Sequence, residues 1–280
     1  MNNIVLSKLP MVLWLAMCMC MIGAYVKWTD SNEAQYADVP VQIVFPQLEN
    51  DADCSILIQD DVCIMIDTGE EQDYQVIATT LAEYNVSSID YLILTHPDQD
   101  HMGSVIQLVD NIEVKQVIMP YYAKENELLD QVIACLEENK INIIYPTRTR
   151  KFSVGTMELL IYPPLERNYS DDNNYSLVTL IQHEQVSMLF AGDALRKRLE
   201  ELELIHWSEI ALLKIPYHGR ANSKSKDFLE LISPDIGVIT SDTADEIIIT
   251  TAEEQQTQLY YTGIETCTFE SNGKQIVAVE

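Results

Sequence analysis

The chain has 280 residues, 47% of them hydrophobic, which is enough to bury a large core in one or two domains and too apolar for a disordered chain. Its 44 acidic residues against 17 basic ones give a formal net charge of -27, and a surface of that sign repels nucleic acid and anionic membrane at long range, which argues against a general polyanion binder. Nucleic-acid substrates stay open, because bound divalent ions reverse the local field inside a site.

Residues 9–26 carry no charge and lie between Lys8 and Lys27. That length meets the threshold for a membrane span and also fits the apolar region of a signal peptide. The reading is a signal anchor or signal peptide over 1–27, a polar linker over 28–40 and a globular domain over 41–280, with a cytosolic buried helix at 9–26 as a third alternative. The domain is expected outside the cytoplasm, either membrane-anchored through residues 9–26 or secreted.

From residue 41 the apolar runs alternate in kind. Residues 41–45, 54–58 and 62–66 read as strands, the last two as a hairpin around Asp60-Asp61. Residues 71–84 have helical spacing, 90–94 form a mostly apolar strand, and 104–109 open a second amphipathic helix. A strand at 117–119, a helix at 125–138 and a strand at 141–145 continue the alternation, which fits the first half of a layered α/β sandwich. Residues 147–151 form a basic cluster before strand-like 152–155 and 157–162, an exposed hairpin edge or a contact for an anionic substrate. Strands at 177–181, 186–193 and 236–240, a strand within 210–219, helical patterns at 194–204 and 251–261, and a hairpin across Ser271-Asn272-Gly273 complete the domain. The 6 cysteines include no CxxC pair, so a zinc ribbon and a thioredoxin-like motif are both unsupported. Buried free thiols are the expectation.

The chemistry concentrates where the 90–94 strand ends. His96, Asp98, Asp100 and His101 place two imidazoles and two carboxylates within six positions, and mixed nitrogen and oxygen ligation suits zinc, manganese or iron better than magnesium or calcium. Two later strands also run into ligand types, 186–193 ending on Asp193 and the 210–219 stretch carrying His218. His183 and His206 read as structural or solvent-facing.

The segment His96-Pro97-Asp98-Gln99-Asp100-His101 resembles the His-X-Asp-X-Asp-His form of the metallo-β-lactamase superfamily signature, and this form is similar to the branch related to the C-terminal domain of the ComEC DNA-uptake proteins. The resemblance implies a four-layer αββα sandwich with one or two divalent metal ions at one edge, zinc in the first place and manganese as the alternative. Carried over residue by residue, His96 and Asp98 hold one ion, Asp100 and His218 with His101 hold a second, and Asp193 bridges them. Asp67, in Asp67-Thr68-Gly69, orients a ligand from behind. Residues 49–55, Glu49-Asn50-Asp51-Ala52-Asp53-Cys54-Ser55, keep an Asp and a Ser of a family segment but neither of its glycines. Asn174, Tyr175 or Ser176 stands where familiar members place a third histidine, Tyr217 and Arg220 replace a histidine and a serine in the third motif, and Asp242 or Asp245 stands where many relatives have a last asparagine or histidine.

The implied activity is hydrolysis by water deprotonated between the ions, with Asp100, Asp193 and Lys214 as catalytic residues. The bases Lys214, Arg220, Lys224 and Lys226 near the third motif favour a phosphodiester or another anionic ester, from an anionic small molecule or a nucleic-acid fragment. Thiol-ester hydrolysis uses the same fold. The non-enzyme alternative is a binding or scaffold module of this fold, which Tyr217 and the missing third histidine favour.

Overall fold

The computed structural model describes residues 39–279. The first segments in chain order are β1 (Val41–Phe45), β2 (Ser55–Gln59), β3 (Val62–Ile66), helix α1 (Tyr74–Glu83), β4 (Ser88–Ile89) and β5 (Tyr91–Ile93). They are followed by α2 (Gln99–Met102), α3 (Val105–Asn111), β6 (Glu113–Val114), β7 (Gln116–Ile118), α4 (Glu127–Glu138) and β8 (Asn142–Ile144). The second half contains β9 (Arg150–Val154), β10 (Met157–Tyr162), β11 (Val178–His183), β12 (Val186–Phe190), α5 (Arg196–Leu202) and β13 (Leu212–Lys214). It ends with α6 (Ser225–Ile232), β14 (Ile236–Ile239), α7 (Glu246–Gln255), β15 (Gln258–Tyr261), β16 (Cys267–Ser271) and β17 (Ile276–Val279).

Two large sheets result, in the orders β17-β16-β1-β2-β3-β5-β7-β8 and β15-β14-β13-β12-β11-β10-β9. Each is antiparallel on one side and parallel on the other: β3, β5, β7 and β8 run parallel in the first, β12 to β15 in the second. Strands β2 and β3 are buried at every position, as expected of strands covered on both faces, which read as continuous apolar runs rather than alternating ones. One face of the first sheet packs Ile56, Met65, Leu92 and Val117 under Ile77 and Leu81 of α1, Val105 of α3 and Val132 and Leu136 of α4. The second sheet mirrors this, with Val178, Leu189, Leu213 and Ile239 under Leu199 of α5, Phe228 and Leu229 of α6 and Ile248 of α7. The inner faces meet through Phe45, which stacks on Phe190 of the opposite sheet at a centroid distance of 6.1 Å. The order helix, sheet, sheet, helix is the expected four-layer αββα sandwich. Full burial of a side chain such as Phe45 or Phe190 contributes about 1.5–3 kcal/mol.

Local signals account for the element ends. Asn126 caps α4 by accepting the Leu129 N–H at 2.9 Å, and Leu129, Val132 and Leu136 form its buried stripe. The helical pattern at 251–261 is a correction: α7 starts earlier, at Glu246, and ends at Gln255, where Gln256 adopts a left-handed φ of 63°. The chain then continues as β15, because pairing with β14 outweighs the helix propensity of 258–261. The basic 147–151 segment leads into edge strand β9, where Lys151 pairs with Glu158 of β10. Cys54, Cys63 and Cys267 are buried free thiols and Cys135 is half-buried. The span expected at 9–26 lies outside the described residues, among which no helix is long and apolar enough to cross a membrane.

Candidate metal centre

The ligand types gather where parallel strands of both sheets end. Asp67 follows β3, His96 follows β5, Asp193 follows β12, and Lys214 and His218 end and follow β13. In open α/β sheets the carboxyl ends of such strands are where ligands bind. The loop after β5 turns into the short helix α2, which carries Asp100 and His101 and docks tightly: the Gly103 N–H donates to Gly69 O at 2.8 Å. A Cβ at Gly103 would lie 2.6 Å from the backbone of Glu71 and of Gln99, so the glycine of the motif is a packing requirement.

Four donor atoms converge, one each from Asp100, His101, Asp193 and His218, all within 4.8 Å of one another. His101 Nε2 lies 3.4 Å from Asp193 Oδ2 and 3.7 Å from Asp100 Oδ2, and His218 Nε2 lies 2.9 Å and 3.4 Å from the same two atoms. Ligands about 2.0–2.1 Å from a tetrahedral centre stand about 3.3 Å apart, so the spacing fits a divalent ion. His101 Nε2 is buried and has no hydrogen-bond partner, which a ligand nitrogen facing a metal position explains.

Each ring is held from behind through its other nitrogen. His101 Nδ1 donates to Asp67 Oδ2 at 2.8 Å, and Asp67 is itself fixed by the Thr95 N–H and hydroxyl, both at 2.7 Å. His218 Nδ1 lies 3.0 Å from Thr240 Oγ1 and 3.2 Å from Asp53 Oδ1. With the outer nitrogens so engaged, both Nε2 lone pairs point into the cluster. His218 reaches its place through an uncommon backbone path: Tyr217, His218 and Gly219 all have positive φ, 53°, 51° and 81°.

His96 and Asp98 stand beside this group rather than in it. His96 Nε2 is 3.3 Å from Asp98 Oδ2, the His96 ring centroid is 4.0 Å from that of His101, and among the described residues no third His, Cys, Asp or Glu joins the pair in a metal-binding group. The segment expected to supply a third ligand is committed elsewhere: Asn174 Oδ1 accepts the Arg198 N–H, Tyr175 donates to Arg167 O, and Ser176 Oγ accepts the Asp193 N–H. Asp245 accepts the Ala221 N–H and Asp242 lies on the surface, so neither completes the group.

Lys214 departs from the expectation. Its ammonium is buried and satisfied by Asp53 Oδ2, by Gly192 O at 3.1 Å and by Asp193 Oδ1 at 3.4 Å, so it faces protein carboxylates instead of open space. Arg220 pairs with Asp51, Lys224 with Glu203 and Asp227, and Lys226 with Glu230 and Glu254. The bases around the third motif therefore neutralise neighbouring acids.

Asp53 is the residue whose role the sequence reading left unassigned. Its backbone is sewn to the metal loop, N–H to Asp100 O at 3.0 Å and O from the Gly69 N–H at 2.8 Å. The retained aspartate in 49–55 was the available signal, since that stretch is where the family motif keeps its acid.

The electrostatics follow from this packing. Burial favours the neutral form of Asp193, but His218, His101 and Lys214 outweigh it and hold the carboxyl well below the usual range. Asp53 is lowered in the same way, burial being overcome by Lys214, His218 and His101. Burial disfavours charged imidazole at His101 and His218, yet Asp193 and the other carboxylates raise both well above the ordinary histidine value. Such a carboxylate-rich centre attracts protons or a metal ion.

Comparison with known proteins agrees with this geometry. ComE operon protein 3 of Bacillus subtilis (strain 168) is 24% identical over 60% of this chain, and competence protein ComA of Neisseria gonorrhoeae is 26% identical over 64%. The chain covers 22% and 24% of those two relatives. The solved structure of the metallo-beta-lactamase fold protein YhfI from Bacillus subtilis superposes with a TM-score of 0.56 at 10% identity, covering 83% of this chain and 100% of that one, which shows the shared fold. The model of the metallo-beta-lactamase superfamily matches residues 50–240, and the chain therefore belongs to that superfamily, generally metal-dependent hydrolases that use one or two divalent metals, with relatives that fit its ComEC-like branch.

Proposed function

We propose that the protein is a metal-dependent hydrolase of a phosphodiester or another anionic ester, taken from an anionic small molecule or a nucleic-acid fragment. The observation that carries this reading is the convergence of Asp100, His101, Asp193 and His218 on one point with the His101 Nε2 unpaired. A divalent ion held there would supply Lewis acidity and the activation of water at neutral pH. Asp67 and Thr95 keep His101 in the tautomer that presents Nε2, and Thr240 holds the His218 ring through its Nδ1. Lys214 keeps Asp53 and Asp193 ionised by pairing with both. Asp100, half-buried at the mouth, is the ligand closest to solvent.

A second reading rests on the same geometry. Four protein donors meet here, the number that fills a structural zinc site, whereas catalytic sites keep an open position. A metal-stabilised scaffold module is the consequence. The experiment that separates the two uses full-length protein stripped with a chelator, reloaded with Mn²⁺ or Zn²⁺ and offered bis(p-nitrophenyl) phosphate, cyclic dinucleotides and single-stranded DNA. Metal-dependent turnover that falls at least about 100-fold in His218→Ala supports the hydrolase. Metal-loaded protein without turnover on any of them supports the scaffold. Residues 9–26 remain the proposed attachment to a membrane, and recovery of the intact chain wholly in a soluble fraction would remove that part.

A further inference from the structure

We infer that the cleft between the ends of β7, β8 and β10 receives a planar heteroaromatic ring carried by the anionic ester, and that Tyr121, Tyr145 and Arg167 hold it. The inference rests on the hydrolase reading above and gives that substrate a second point of recognition.

The cleft lies on the same edge of the sandwich as the metal centre. β5, β7 and β8 are parallel neighbours, so their carboxyl ends stand side by side: His96 follows β5, Tyr121 follows β7 and Tyr145 follows β8. With neighbouring strands about 4.8 Å apart, β8 stands roughly 10 Å from β5, a span that a ring and a phosphate joined by a sugar-sized spacer can cover. The loop after β7 is also tied to the metal loop, since Asn126 Nδ2 donates to Pro97 O at 2.9 Å. The cleft encloses about 550 Å³ and is lined by Tyr121, Tyr145, Pro146, Thr147 and residues 164–167, a size suited to a small organic group.

The backbone of its wall is fixed while the side chains that line it are unengaged. The Leu165 N–H donates to Glu201 Oε2 at 3.2 Å, the Glu166 N–H donates to the Tyr169 hydroxyl at 2.8 Å, and Arg167 O accepts the Tyr175 hydroxyl at 3.3 Å. Tyr169 and Tyr122 each pack edge to face on Tyr175, at 5.1 and 4.7 Å. Tyr121 and Tyr145 differ from these neighbours: they are 57% and 40% exposed, and neither makes a hydrogen bond or a ring contact among the described residues. Arg167 likewise has no ion pair among the described residues, in a chain where most bases are paired with acids, as Lys115 is with Asp90 and Lys226 with Glu230.

Open aromatic faces bind planar rings by stacking, whatever the ring's identity. The rim narrows the choice to a heterocycle, because Arg167 offers N–H donors and Glu166 offers acceptor oxygens, the complements of a ring with both acceptor atoms and an amino group. An acid and a base side by side leave the cleft with little net attraction for a phosphate. The ring therefore belongs in the cleft and the phosphate at the metal centre.

The test is calorimetric titration of zinc-loaded full-length protein with adenosine 5′-monophosphate and with ribose 5-phosphate, its ring-free counterpart, beside turnover of bis(p-nitrophenyl) phosphate. The adenine nucleotide should bind about 10-fold more tightly than ribose 5-phosphate, and Tyr121→Ala and Tyr145→Ala should each weaken it about 5- to 10-fold. Tyr145→Phe, which keeps the ring face, should retain the affinity. Equal affinity for the two ligands, nucleotide affinity unchanged in both alanine variants, or a loss in Tyr145→Phe as large as in Tyr145→Ala overturns the inference. Turnover without ring-dependent binding removes the cleft and leaves the hydrolase, whereas ring-dependent binding without turnover supports the cleft and counts against the hydrolase.

Discussion

Replacing Lys214 with Met removes one buried positive charge and leaves its carbon chain in place. In the metal-free protein the Asp53 and Asp193 carboxylates would lose the ammonium that both contact, and breaking a buried pair by removing one partner costs about 3–5 kcal/mol. The lower end applies at neutral pH, because His101 and His218 face the same carboxylates and their protonated rings supply part of the missing charge. A loss of about 3 kcal/mol lowers Tm by roughly 6–12 °C for a domain of this size. The assay is thermal and urea unfolding of chelator-stripped full-length protein for wild type, Lys214→Met, Asp53→Asn and the double variant. Removing both partners should recover a large part of the single-variant loss, giving a coupling above about 1 kcal/mol. A loss below about 1 kcal/mol in Lys214→Met, or strict additivity in the double variant, would refute the reasoning.

Three other consequences are open to measurement. In metal-free protein the raised pKa values of His101 and His218 mean that their protonated forms stabilise the fold fully below about pH 6.5, and that this contribution is lost as pH rises through the raised folded values; unfolding midpoints should fall with pH in that direction, and a flat profile contradicts the assignment. Thr240→Val removes the oxygen 3.0 Å from His218 Nδ1 and should weaken metal affinity about 10–100-fold, measured by competition with a chelating dye, with unchanged affinity as the refuting result. Gly103→Ala forces a methyl against backbone at 2.6 Å and should destabilise by about 1–3 kcal/mol; a variant as stable as wild type would show that the α2 docking is looser than described.

The parts of the fold legible in the sequence were those set by local pattern. Continuous apolar runs such as 62–66 and 186–190 announce strands covered on both faces, and the runs that lead into Asp193 and His218 announce candidate ligands at a strand's carboxyl end. Long-range pairing was not legible in the same way. Asp53 and Lys214 are far apart in sequence and meet only because β2 and β13 belong to facing sheets, so neither residue's neighbours reveal that Lys214 is spent on an internal carboxylate. The same holds for Arg220, Lys224 and Lys226, whose acidic partners come from other loops or helical turns. Thr95 and Thr240 had no signal of their own, since a hydroxyl becomes a support only when a ring nitrogen is placed 3 Å away. Residues 258–261 failed for the opposite reason, a local helical pattern overridden by a parallel partner strand.

Anomalous diffraction from crystals of zinc-loaded protein tests the central claim most directly. The account predicts a peak at about 2.0–2.2 Å from Asp100, His101, Asp193 and His218, with Lys214 still on Asp53. A peak confined to the His96 and Asp98 pair, or none at the four-residue group, would contradict it.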